Sequence, residues 1–266
     1  MIDPYVSLSY WQVAAAASLI VVNGLVSLTL KLRMEKLLLV ASIRTVVQLL
    51  MMGMVLEWVF QLDRWYVVIG LALLMTVIAG MTAVSRNERR YPGIRIHMVV
   101  SVWASSWLIM AVALAVIMHG IGPWYQPQYV IPLLGMILGN TLNGVSVGLN
   151  TLTESLKTRR DEVDTLLALG ATRWEAARQP LQRAVRTGMI PIVNSMMIVG
   201  LVSLPGMMTG QLIAGMAPIQ AVKYQIVIMF LIASATALGT VGTALFCWMR
   251  VFNGNHQFLP EQITNR

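Results

Sequence analysis

Seven stretches of this chain run for about 20 residues with almost no charge: 10–30, 37–60, 65–84, 97–118, 130–149, 189–208 and 224–249. A helix needs about 20 apolar residues to cross the hydrocarbon core of a bilayer. Only a segment that satisfies its own backbone polar groups can do so without water. The rest of the composition agrees. Hydrophobic residues make up 57% of the 266 and charged residues 11%, with a mean hydropathy of +0.71. Soluble domains carry about 25% charged residues. The expectation is an all-α polytopic membrane protein of about seven transmembrane helices, forming a single domain over residues 1–266.

Several classes fall away. The one cysteine, Cys247, sits in an apolar run, so neither a disulfide framework nor structural zinc is indicated. The net charge of +8 reports topology rather than nucleic-acid binding, because it is concentrated in alternate loops. Lys31, Arg33 and Lys36 follow the first span, and Arg86, Arg89, Arg90 and Arg95 follow the third. Seven basic residues from Lys157 to Arg186 follow the fifth, whereas the other loops offer Arg64 and Lys223. The positive-inside rule then puts the N-terminus outside and the C-terminus inside. The first ten residues have Asp3 and no Lys or Arg, so no cleavable signal sequence is expected.

The longest polar segment, 151–186, reads as a cytoplasmic helical hairpin. Val163, Leu166, Leu167 and Gly170 recur on one helical face. Gly170 then suits a left-handed helix end, and Thr172 with Glu175 forms a capping box that starts the next helix. The bland reading is an ordinary surface turn. The functional one is a protein contact, with Trp174 near the tip between Arg173 and Arg178, since Trp and Arg are enriched at interface hot spots.

Inside the spans, Arg44 lies eight residues beyond Lys36, about 12 Å into the bilayer, with Gln48 one turn further. Intramembrane charge usually faces a pathway, although an arginine can also snorkel to the surface. Gly135, Gly139, Gly144 and Gly148 form two G-x-x-x-G units, a candidate packing surface between subunits. Asn140, Asn143 and Asn150 share a face, either for interhelical hydrogen bonds or beside a substrate route. Near the sixth span's end, Asn194 and Ser203 precede the pair Pro205-Gly206, followed by Met207 and Met208. A proline there removes an N–H and breaks the helix. The freed carbonyls must lie against protein or a wet cavity, as in transport sites. Residues 205–218 are therefore expected to be a re-entrant or interfacial piece, with Pro218 opening the last helix.

No hard-cation site is legible, and the thioethers of Met207 and Met208 at the break either favour a soft ion such as cuprous copper or serve as packing, the usual role of methionine in membrane spans. Every acidic residue falls in a loop or near a span end, and His97 and His119 sit at opposite ends of one span. Glu57 and Asp63, on the outer side, could receive a leaving cation.

The segments GMILGNTLN (135–143), ALGAT (168–172) and GLVSLPGMMTGQLIAGMAPIQAVKYQI (200–226) resemble the iron-export ABC permease family, FetB-like, to which plant aluminium-tolerance permeases are related. DTLLALGATRWEA, 164–176, looks like the coupling-helix region of ABC permeases, with Asp164 six positions before Gly170. The usual downstream proline is displaced to Pro180 and Pro191. The resemblance implies the permease half of an ATP-driven exporter of iron, another metal ion or its complex, in a bacterial inner membrane. Asp164, Leu167, Gly170, Ala171, Thr172, Arg173, Trp174 and Glu175 would meet a separate ATP-binding subunit that holds ATP and Mg. No phosphate-cradling G-x-x-x-x-G-K-[ST] occurs in this chain, in keeping with a separate motor. One such chain supplies half of a two-fold pathway, so a homodimer is expected. The competing reading is a self-sufficient secondary transporter or channel for a small anion or metal chelate. An intramembrane enzyme finds no H-E-x-x-H, no G-x-S-x-G and no pair of buried aspartates.

Overall fold

The computed structural model describes residues 9–62, 64–117 and 123–265. Asp3, Asp63, Met118 and His119 lie outside these residues. The helices are α1 (Tyr10–Thr29), α2 (Glu35–Leu62), α3 (Trp65–Ser85), α4 (Ile94–Ile117), α5 (Pro127–Thr158), α6 (Arg160–Ala168), α7 (Arg173–Ile198), α8 (Gly206–Ile213) and α9 (Pro218–Val251). Two-residue strands β1 (Arg89–Arg90) and β2 (Thr264–Asn265) pair antiparallel. Among the described residues, six helices are long and apolar enough to cross a membrane: α1 to α5 and α9. The protein is an all-α polytopic membrane protein.

Local chemistry sets the helix starts. Ser9 caps α1 in a reciprocal box with Gln12, and prolines Pro127 and Pro218 open α5 and α9, where a missing N–H costs nothing. α5 is the axle of the bundle, flanked by α3, α4, α7 and α9. Gly144 and Gly148 of α5 face Gly188 of α7 and Thr240 of α9 so closely that a Cβ on Gly188 would lie 2.7 Å from the Gly144 carbonyl oxygen. The glycine face expected between subunits is thus partly spent inside the chain, because side-chain-free positions let α5 and α7 touch backbone to backbone. Gly139 has nothing within 4 Å and remains open.

α1 and α2 form a hairpin that stands off this bundle. Each buries a single residue, Ser27 and Val59. Ser27 secures the hairpin turn, donating to Glu35 Oε2 at 3.1 Å and accepting from the Met34 N–H at 3.0 Å.

The sixth span differs from expectation. The helix expected at 189–208 begins at Arg173 and ends at Ile198. The expected hairpin arm and the expected span are one continuous helix, α7. Pro180 and Pro191 sit within it without ending it. The break comes five residues before Pro205, where Gly200 takes a φ of 83° and its N–H donates to the Ser203 carbonyl at 2.9 Å. Glycine reaches that left-handed region without a Cβ clash. Leu201 and Val202 therefore belong to a turn, and the Val202 N–H bonds back to Ile198 O at 3.0 Å. Pro205 is the residue that precedes α8, and Gly215 at φ 85° turns the chain into α9.

Candidate functional site

Two regions at opposite ends of α7 bring together side chains expected to be functional. The first is the hairpin tip. α6 is tied within itself by Arg160–Asp164 at 3.3 Å and Arg159–Glu162 at 3.6 Å, so Asp164 is occupied by its own helix. Gly170, at φ 92°, closes α6, with the Gly170 and Ala171 N–H groups donating to Leu167 O and Leu166 O at 3.0 Å each. The Glu175 N–H donates to Thr172 Oγ1 at 3.3 Å, and the Thr172 N–H donates to Glu175 Oε2 at 2.8 Å. The Thr172 N–H and the Thr172 hydroxyl, which also donates to Oε2 at 2.8 Å, hold the Glu175 carboxyl below the ordinary carboxylate range. α6 and the start of α7 enclose a cleft of about 410 Å³ lined by Val163, Leu166, Glu175 and Arg178.

The tip is anchored by residues far away in sequence. The Arg173 N–H donates to His256 Nδ1 at 3.0 Å, and Arg173 Nη1 donates to Asn253 O at 3.3 Å. Trp248 Nε1–H donates to Arg173 O at 3.2 Å. Trp248 also lies 4.9 Å beneath the Arg173 guanidinium and edge-on to Trp174, with ring centroids 5.4 Å apart. The tail holding His256 is folded on itself by Asn253 and Gln257, by Phe252 against Phe258, and by β2 on the α3–α4 loop. The Arg173 N–H is one of the donors that every helix start leaves without an internal partner. A residue 83 positions later fills that role. Trp174 is only half exposed as a result, and the most exposed large apolar residue at the tip is Leu169, at 79%. Leu169, Trp248, Asn253 and His256 were not singled out in the sequence. Leu169 was legible as the apolar residue beside the closing glycine, whereas nothing local marks His256 as a cap.

The second region is the break. Met208 of α8 joins Met196 of α7 and Met229 of α9 around a cavity of about 420 Å³. Met207 is half-buried against the core, Asn194 is exposed on α7, and Ser203 is exposed in the turn.

The remaining expected pathway residues are elsewhere. Arg44 and Gln48 are exposed on α2. Asn140 Nδ2 donates to Met136 O on its own helix at 2.9 Å. Asn143 accepts from Arg86, and Asn150 both accepts from the Glu88 N–H and donates to Arg86 O at 3.2 Å. The latter two amides fasten α5 to the α3–α4 loop. Among the described residues, no cluster of three His, Cys, Asp or Glu is placed to hold a metal ion.

Comparison with known proteins covers nearly the whole molecule. The profile described as Uncharacterised protein family (UPF0014) matches residues 10–252. A UPF0014 membrane protein of Synechocystis is 42% identical over 223 residues, 84% of this chain and 85% of that one. The Probable iron export permease protein FetB of Escherichia coli K12 is 32% identical over 259 residues, 96% of each chain. The Arabidopsis thaliana Protein ALUMINUM SENSITIVE 3 is 30% identical over 244 residues, 92% of this chain and 88% of that one. No solved structure matches.

Proposed function

Because the chain belongs to the UPF0014 family of membrane proteins, we propose that it is the membrane-spanning permease subunit of an ATP-driven exporter of a metal ion or its complex. The observation that carries this reading is the continuity of α7. One helix of 26 residues, about 39 Å long, starts at a capped, tail-anchored tip and ends at the break near Gly200. A force applied to such a tip reaches the break along one unbroken helix, within which Pro180 and Pro191 each remove one helical N–H. The tip lies with the basic α3–α4 loop and tail, at the end expected to face the cytoplasm, where an ATP-binding subunit docks.

That subunit supplies ATP and Mg. Leu169, Ala171 and the exposed flank of Trp174 are the contact surface, and Gly170 and Thr172 set its shape. A homodimer completes the pathway. α2 supports this, because Arg44 and Gln48 stand exposed on it at bilayer depth. A charged side chain left there in lipid costs about 3 kcal/mol, which a facing protomer or a polar route removes. The bacterial inner membrane is the setting.

Co-purification of the chain with ATP-binding subunits tests the reading. Leu169→Glu changes an exposed side chain and leaves the caps intact, so the chain stays folded while the subunit is lost. Retention of the partner by this variant, or by Gly170→Pro, would remove the hairpin from the interface.

A further inference from the structure

The break does more than end a helix. Beyond it, Met208 of α8 lines one cavity with Met196, from the last turn of α7, and Met229 of α9. The cavity they border also takes in Gln225, which is 93% buried by its 7% exposure. Its Oε1 is closed off from solvent and has no hydrogen-bond partner. In a membrane interior a buried acceptor of that kind is costly and calls for a donor or a cation. Phe230 and Val222 complete an otherwise apolar wall.

The four groups share one chemistry. Three thioether sulfurs and one amide oxygen are all lone-pair donors, and no carboxylate borders the cavity. Lys223, next along from Val222, is exposed and does not line it. A divalent ion of the hard or borderline class demands charged oxygen or imidazole ligands to offset its dehydration, and none converges here. The penalty of removing an ion from water grows with the square of its charge, so a monovalent ion is far easier to seat among neutral ligands. Thioethers select soft d¹⁰ ions.

We propose that Met196, Met208 and Met229, with the Gln225 carbonyl oxygen, form a binding site for a soft monovalent metal ion of the cuprous or silver class. The site lies at the outer end of α7. This names a substrate class for the permease reading, yet binding is a property of the chain alone and is measured without any ATP-binding subunit.

The experiment uses the purified full chain in nanodiscs, with Ag⁺ as a redox-stable probe and Cu⁺ delivered against a chromophoric chelator. One equivalent binds. Replacing Met196, Met208 and Met229 together by Leu, a nearly volume-conserving change, weakens binding by about 100-fold. Met34→Leu with Met249→Leu, both exposed and far from the cavity, leaves it unchanged. A second measurement needs no variant. Ag⁺ protects Met196, Met208 and Met229 of the unaltered chain from peroxide oxidation, read by peptide mass spectrometry, and leaves the exposed Met34 and Met249 reactive. Equal oxidation of all five residues would overturn the proposal. So would displacement of Ag⁺ by equimolar Fe²⁺ or Zn²⁺, or a lipid found retained in the cavity and undisturbed by Ag⁺. Failure of the hairpin to recruit a motor subunit would leave these readouts unaffected.

Discussion

Thr172 and Glu175 show how a local pair of side chains fixes the start of a helix. The Thr172 hydroxyl satisfies the Glu175 N–H, and the Glu175 carboxylate answers with the Thr172 N–H. The charged carboxylate is the better acceptor, and this is why its pKa is lowered in the folded chain. A lowered folded value means that the cap contributes fully above the unfolded carboxylate value, about 4.3, and fades as the pH falls through the folded one. Amide protection of residues 172–176, corrected for intrinsic exchange, is therefore expected to drop on acidification below about pH 4. Glu175→Gln keeps an acceptor that does not titrate, so its protection stays flat over the same range. A drop of the same size in the Gln variant would show that another group controls the helix start. This pair was readable from the sequence because both partners lie within four residues. His256, which caps the neighbouring N–H, was not, since its turn gives no sign of which helix it will meet.

Helices differ in how much of their role periodicity reveals. Length and apolarity marked α1 to α5 and α9, because the bilayer is a solvent that reads composition directly. α7 was divided wrongly for the same reason. Its first half carries Arg173, Arg178, Arg183 and Arg186, so hydropathy alone separates it from the apolar half. Sequence alone points to Pro205, the residue that most visibly forbids a helix, whereas Gly200 makes the turn. The glycines of α5 were recognised as a close-packing face, but sequence cannot tell an internal neighbour from a second subunit. The structure makes the distinction measurable with one substitution in two places. An added methyl at Gly188 meets the Gly144 carbonyl and Thr240 Cγ2, each at 2.7 Å. Gly188→Ala is expected to cost about 1–3 kcal/mol or more through overpacking, seen as a lower melting temperature of the purified chain. Gly139→Ala meets nothing within 4 Å, and in a helix Ala is better than Gly by about 1 kcal/mol. Its melting temperature is expected to rise. Equal shifts at both positions would place the α5–α7 contact elsewhere.

Across the whole molecule, α3, α4, α5, α7 and α9 form one packed bundle, with the α1–α2 pair beside it and a tail that returns to the hairpin. His256 is where tail and tip meet, and it adopts a φ of 58° while accepting the Arg173 N–H. Asn tolerates that backbone region and carries an acceptor on the same branch carbon. His256→Asn is therefore expected to keep the Arg173 amide protected and, under the docking proposed for this tip, the ATP-binding subunit bound. His256→Ala is expected to lose both, and equal behaviour of the two variants would reduce the tail to a passenger. The overall class of the fold was legible because it follows from summed composition. The joining of tail, loop and tip was not, because it depends on contacts between residues 80 or more positions apart. That separation has a consequence in time. Translation at about 5–20 residues per second delivers His256 several seconds after Arg173. During that interval the last long helix must also enter the lipid. A chain stalled before that point would be threaded into the bilayer yet present an unfinished tip, so the docking proposed for that tip would be open only to copies whose synthesis had run past α9.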